Sequence, residues 1–220
     1  MTSLPRAGRV LAVTAALVGA ATLPTADAKT ERSCRLPSSA SLVVAFDRAV
    51  VWETRPGLRF GCLRGVGRAI ALDPEAGSGA EAPWALAGRR LAFALGTYEG
   101  TEPEVEFLNV RNLATGRLEA TALTQDVVPP DDPRRRFLRL TDVVLARDGR
   151  FAFLACESEY ARGGVCVLRR GMVDTPAEDV LIVRAPLIRR RSLTLSASQR
   201  SVGWTQDGRR RSAPLPRVPG

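Results

Sequence analysis

One strand–turn–strand pattern recurs four times along this 220-residue chain. Each copy has a short apolar strand, a tight polar turn and a second apolar strand that carries a large aromatic residue. These aromatic residues, called the anchors below, are Trp52, Phe93, Phe153 and Trp204. Each anchor and the residue two positions before it point to one face of the second strand, because side chains alternate along a strand. The pattern restricts the fold to repeated antiparallel β units, since no amphipathic helical period persists between the copies.

Further strand-like segments follow each copy, so the full unit has four strands. The predicted strands are 42–46, 49–52, 58–63 and 68–72; 84–87, 90–93, 104–110 and 117–123; 142–145, 150–153, 165–170 and 180–184; and 192–196, 201–204 and 209–215. We therefore predict an all-β fold, a propeller-like array of about four antiparallel four-stranded units over residues 42–215, as a small propeller or an open arc. The alternative is a two-sheet β-sandwich, which uses the same kind of hairpin.

The third copy resembles a known family. Residues 145–153, which turn at Asp148-Gly149, resemble the strand–turn–strand signature of the WD40-like repeats in TolB-type β-propellers, although Ala146-Arg147 stands where the family usually has Ser-Pro. Residues 110–117 resemble the turn between the third and fourth strands of such a blade. The resemblance implies a propeller fold, but such propellers usually have six or more units and this chain has at most four.

The first 28 residues are typical of a secretory signal peptide. Arg6 and Arg9 precede the uncharged stretch 10–23, and Ala26-Asp27-Ala28 has small residues at the positions that a signal peptidase reads. The uncharged stretch is shorter than the roughly 20 residues of a membrane-spanning helix. No later segment is long and apolar enough to span a membrane. We expect cleavage near Ala28 and secretion to the periplasm or the outside of the cell.

The remaining chain is expected to have one domain, preceded by the N-terminal segment 29–41 and followed by a disordered tail, 216–220. Lys29 is the single lysine among 32 Lys and Arg residues, a bias that favours GC-rich coding and a bacterial source. The formal net charge of +9 is therefore weak support for a polyanionic partner. A nucleic-acid partner is not expected, because it conflicts with export.

All four cysteines lie after the signal peptide, and an even number in an exported chain favours disulfides. Of the three possible pairings we favour Cys34–Cys62 with Cys156–Cys166. The second bridge would join two strands of one hairpin, and the first would attach the N-terminal segment to an early strand. A metal site is not expected, since neither a close cysteine pair nor a histidine is present.

The sequence offers little for catalysis. It contains no histidine, which removes the commonest general base and every Ser-His or Cys-His pair. No phosphate-binding glycine loop or nucleophile elbow is present, and no cofactor is expected. No carboxylate stands isolated in an apolar strand; Asp142 comes closest, and a capping or turn role is expected for it. We therefore expect a protein that is not an enzyme.

The strongest interaction signal is a set of loop residues. The two tyrosines fall in corresponding acidic loops after the second and third anchors, and arginine runs occupy the connectors between units. If the units are blades, these segments share one rim, whose composition suits recognition of an extracellular protein or a cell-surface glycan or polymer. The predicted binding residues are Tyr98, Tyr160, Glu99, Glu157, Arg135 and Arg190.

Two other functions stay open. An extracellular carbohydrate-active hydrolase would need two carboxyl groups about 5–10 Å apart. An electrostatic binder of an anionic cell-envelope polymer would use the arginine runs 134–136 and 189–191, and its affinity would fall with salt.

Overall fold

The computed structural model describes residues 34–54, 58–72, 82–99, 102–124, 138–157, 164–174 and 180–217. The predicted signal peptide lies outside these residues. Of the predicted tail, Pro216 and Arg217 are described, and the carbonyl of Pro216 accepts a hydrogen bond from Arg150 Nη1 at 3.4 Å. No helix among the described residues is long and apolar enough to cross a membrane.

The described residues form fifteen strands in four antiparallel sheets, with no helix among them. Sheet A comprises β1 (Ser41–Ala45), β2 (Ala49–Thr54), β3 (Leu58–Leu63) and β4 (Ala69–Ala71). Sheet B comprises β5 (Trp84–Ala87), β6 (Arg90–Glu99), β7 (Glu102–Asn112) and β8 (Leu118–Leu123). Sheet C comprises β9 (Leu138–Leu145), β10 (Arg150–Glu157), β11 (Cys166–Met172) and β12 (Val180–Ala185). Sheet D comprises β13 (Thr194–Leu195), β14 (Ser201–Gln206) and β15 (Arg209–Pro214).

Each sheet is a meander, in which every strand pairs with the next one along the chain. The predicted propeller-like array of about four antiparallel units is confirmed, with three strands rather than four described in the last unit. Four separate sheets do not fit the alternative of a two-sheet sandwich. The predicted strands differ from the observed ones mainly in length, most clearly in β6, β7 and β9.

Glycine-containing turns close several of the hairpins. Gly149 has a φ of 92°, and it follows a turn in which the amide of Ala146 donates to the carbonyl of Arg150 at 2.7 Å. This is the three-residue connection that ends on a left-handed residue. Asp207 and Gly208 both have positive φ (50° and 70°), as a two-residue type I′ turn requires.

The core lies between successive sheets, and the second, third and fourth anchors each face the sheet that precedes their own. Phe93 belongs to the buried cluster shared by sheets A and B, and Phe153 to the cluster shared by sheets B and C. Trp204 belongs to the cluster shared by sheets C and D. Among the described residues, no buried cluster joins sheet D to sheet A.

Sheet A has no preceding sheet, and the N-terminal segment takes that place. Trp52 is 4% exposed and packs in a cluster with Cys34 and Cys62, against which Leu36 and Ala40 also pack. The predicted disulfide Cys34–Cys62 is present, with a Cα–Cα distance of 5.6 Å. The bridge therefore holds residues 34–40 over the face that carries the first anchor.

Candidate functional site at the connector edge

The predicted rim corresponds to one edge of the array, which we call the connector edge. In each antiparallel meander, the second and third strands join at the edge from which the chain passes to the next sheet. In sheets B and C this edge is formed by the ends of β6, β8, β10 and β12 and by the starts of β5, β7, β9 and β11. The sequence segments that contain the six predicted binding residues all begin or end here.

Tyr98 and Glu99 were expected in a loop, and this placement is wrong. Their backbones are the last two residues of β6, where Tyr98 pairs with Pro103 and Glu99 with Glu102. The hydrogen-bonded ladder continues past Phe93 because β7 is long enough to pair with it, with a bulge after Thr97. Their side chains are not described, so their part in a rim stays a prediction. Tyr160 and Arg135 lie outside the described residues.

Glu157 and Arg190 are brought together through the backbone carbonyl of Glu157. Glu157 was expected in a loop, but it is the buried last residue of β10, because its amide extends the ladder by donating to the carbonyl of Val165 at 3.1 Å. Arg190 Nη2 donates to the backbone carbonyl of Glu157 at 2.9 Å. The connector after β12 is thereby attached to the end of β10.

The predicted disulfide Cys156–Cys166 lies at the same place. The two residues are direct cross-strand partners in β10 and β11, with a Cα–Cα distance of 4.0 Å. Residues 157–165 therefore leave and re-enter the sheet at one covalently fixed point. Together with the bond from Arg190, the bridge restrains both ends of this segment.

A buried carboxyl group on β7 was missed by the sequence analysis, which found none in an apolar strand. Glu106 is 8% exposed, and its Oε2 accepts a hydrogen bond from the backbone amide of Leu140 in β9. Burial raises its pKa to about 7, although the bond from Leu140 and the charge of Arg139 oppose the shift. The alternation of side chains along β7 indicated this burial, since Leu108 and Val110 lie on the same face as Glu106 and are fully buried.

Asp142 was expected in a capping or turn role at the start of its unit, but it lies inside β9 and bonds a residue 51 positions away. Its Oδ2 accepts a hydrogen bond from the amide of Leu193 at 2.7 Å, just before β13 begins. Burial raises the pKa of Asp142, against the bonds from Leu193 and Val143 and the charge of Arg191. Asp142 thus ties sheet C to the start of sheet D, just as Glu106 ties sheet B to the first strand of sheet C.

The two carboxyl groups do not face one site. Glu106 points from β7 toward β9, at the boundary of sheets B and C. Asp142 points from β9 toward Leu193, at the boundary of sheets C and D. Each carboxyl group accepts a backbone amide of the following sheet, so their geometry is that of structural links. In the part of the chain that the structure describes, no group of three or more His, Cys, Asp or Glu side chains could hold a metal ion.

The fold defines the class: the chain is an all-β, propeller-like array of antiparallel sheets. No protein-family model matches it, and neither does any curated protein. Among solved structures, it is similar to a subtype N10 neuraminidase-like protein of A/little yellow-shouldered bat/Guatemala/060/2010, at 10% identity and a TM-score of 0.39. The match covers 78% of this chain and 51% of that one, so the chain spans about half the length of the neuraminidase-like protein.

Proposed function

We propose that this protein is a secreted, non-catalytic binding protein that recognises an extracellular protein or a cell-surface glycan or polymer through its connector edge. The two disulfides support the location, because disulfides persist in oxidising compartments. Kinship with TolB-type propellers is part of the same proposal. It is supported by residues 145–153, which form the strand–turn–strand unit that the resemblance implies.

The observation that carries the proposal is the double attachment of residues 157–165. The Cys156–Cys166 bridge closes the segment at its base, and Arg190 attaches its first residue to the next connector. The β10–β11 ladder of seven residue pairs already fixes the register of this hairpin, so the bridge is not needed to set it. Restraint of a recognition segment before binding lowers the entropy that binding costs, and thereby raises affinity.

The composition of this segment supports recognition. It includes Glu159, Tyr160 and Arg162. Tyr and Arg are the residue types enriched among the binding hot spots of protein interfaces. A carboxylate-pair hydrolase receives no comparable support, since the two buried carboxyl groups face different sheet boundaries.

The proposal is tested by capturing partners from the extracellular fraction of the source organism with the oxidised protein. The variant Tyr98→Ser/Tyr160→Ser should capture its partner at least about tenfold less well, with an unchanged unfolding temperature. The matched control is Arg64→Ser/Arg89→Ser, which changes two exposed turn residues at the opposite edge and should capture as well as the unmodified protein. Equal capture by the tyrosine variant would contradict the proposal.

A further inference from the structure

Among the described residues, sheet D has three strands, one fewer than each of the other sheets. Sheets A, B and C each have a fourth strand beside the third, whereas no strand in the described part of the chain pairs with the outer edge of β15. Four consecutive residues of β15 are exposed: Arg209, Arg210, Arg211 and Ser212. The outer edge of β15 therefore presents a strand to solvent where the other three sheets are covered.

The backbone of β15 is oriented to accept another strand. The carbonyl of Thr205 accepts from the amide of Arg189 at 2.9 Å, and its amide donates to Ser192 Oγ at 3.1 Å. The backbone amide and carbonyl of Thr205 thus both point away from β15. Thr205 and Arg210 are therefore a non-hydrogen-bonded pair. The amide and carbonyl of Arg210 then point to the outer edge. By the alternation of the ladder, the same holds for Ser212.

The neighbouring sheet leaves room for such a strand. Val180 in β12 pairs with Arg170, whose guanidinium donates to the carbonyl of Pro214 in sheet D, so Val180 lies on the face toward sheet D. It is 43% exposed. Ala122, on the fourth strand of sheet B and facing sheet C, is 6% exposed. An added fourth strand in sheet D would cover Val180 in the same way.

We propose that the outer edge of β15 binds an extended segment, rich in Asp and Glu, of a partner protein, which adds to sheet D as its fourth strand. Arg209, Arg210 and Arg211 select the charge, because cross-strand pairs of opposite sign stabilise a sheet and like charges destabilise it. The same arginines disfavour a second copy of this chain, whose edge would carry the same charges. Backbone hydrogen bonds supply affinity in this mode and side chains supply specificity. β15 begins at the connector edge, but none of the six predicted binding residues belongs to it.

Two peptides test the proposal with the full, oxidised protein. The first is an octapeptide that alternates Glu with Thr and Val, labelled for fluorescence anisotropy at about 0.15 M salt. The second has the same residues but is N-methylated on every amide, so that it keeps its charge and neither of its edges can donate hydrogen bonds to β15. The first should bind at least about tenfold more tightly than the second. Equal binding of both, which a purely electrostatic polyanion surface would give, or no binding of the first peptide, overturns the proposal.

Two substitutions at Ser212 distinguish the contribution of the backbone amide to binding from that of the side chain. Ser212→Pro removes the outward-pointing amide and should weaken binding of the first peptide at least about tenfold, whereas Ser212→Ala keeps the amide and should bind normally. Unfolding temperatures confirm that both variants fold. Arg211→Glu leaves the backbone unchanged and should also weaken binding of the first peptide. It tests the proposal if Ser212→Pro does not fold. Normal binding by the folded proline variant overturns the proposal, as does normal binding by Arg211→Glu.

Hydrogen exchange reports whether the edge is vacant. The amides of Arg210 and Ser212 should exchange rapidly in the protein alone and become protected when the first peptide binds. Protection in the protein alone would mean that another segment of this chain already pairs with β15, and would overturn the proposal.

Discussion

Glu106 and Glu119 are both carboxylates of sheet B, yet their surroundings shift their pKa values in opposite directions. Glu106 is buried at a sheet boundary, and burial raises its pKa to about 7. Burial also acts on Glu119, but hydrogen bonds from Asn112 and Arg90 outweigh it and lower the pKa. Since the bond from Arg90 joins residues 29 positions apart in the chain, the sequence alone could not have separated the two glutamates.

The raised pKa of Glu106 predicts a pH-dependent stability. Between pH 4.5 and about 7 the folded protein keeps a proton on Glu106 that the unfolded chain has lost. This contribution to stability is therefore fully present below pH 4.5 and is lost as pH rises, by up to about 1.4 kcal/mol per pH unit. Glu106→Gln removes the titration, so its stability relative to the unmodified protein should rise through this window in urea unfolding.

Glu119→Gln is the control for that measurement. Because the pKa of Glu119 is lowered, its contribution is present above the unfolded value of 4.5 and is lost as pH falls below it. The stability difference caused by Glu119→Gln should therefore stay constant from pH 5 to 7. A stability difference for Glu106→Gln that is equally constant would show that Glu106 is ionised in the folded protein.

At the scale of the element, β10 and β11 form the central hairpin of sheet C, and a glycine shapes it. Gly171 is the cross-strand partner of Phe151, and a Cβ at Gly171 would lie 2.5 Å from Cζ of that ring. The ring therefore lies across the glycine, which leaves room for it. Phe151 is buried in the cluster between sheets B and C.

Gly171→Ala should consequently destabilise the protein by about 1–3 kcal/mol, because the ring must move out of a well-packed position. Urea unfolding measures the loss. In a Phe151→Leu background the smaller side chain leaves room for the methyl group, so the cost of Gly171→Ala should shrink. An equal cost in both backgrounds would mean that the ring is not the obstacle.

Hairpins were largely predictable, because local signals encode them. Asp148-Gly149 and the turn near Gln199 fall where expected, and Gly149 and Gln199 both have positive φ. The extension of β6 to Glu99 was not predictable, since it depends on pairing with β7 and that segment carries no local strand signal. Likewise, the bond from Arg190 to the carbonyl of Glu157 joins the connector after β12 to the end of β10, 33 positions away in the chain. The predicted rim could therefore be located to an edge but not resolved into contacts.

For the whole molecule, the recurring anchors predicted the units but not the direction in which each unit packs. The structure shows that the second, third and fourth anchors pack on the preceding sheet. Residues 34–40 cover the first anchor, Trp52. At the opposite end of the array, the face of sheet D that points away from sheet C is polar. Arg210 Nη2 crosses the face of Gly203 to bond Thr194 Oγ1 at 2.5 Å, on the side of sheet D away from sheet C. A polar outer face is what the end of a stacked array requires.

A double-mutant cycle tests most directly the claim that the disulfide-held segment replaces a preceding sheet. Trp52→Ala and Cys34→Ala/Cys62→Ala are measured singly and together by urea unfolding, with Phe153→Ala in place of Trp52→Ala as the control. Trp52→Ala should be markedly less costly without the bridge, with a coupling of about 1–3 kcal/mol, whereas Phe153→Ala should be additive with bridge removal. Additive effects for Trp52→Ala, or equal coupling for Phe153→Ala, would contradict the claim that the disulfide-held segment takes the place of a preceding sheet.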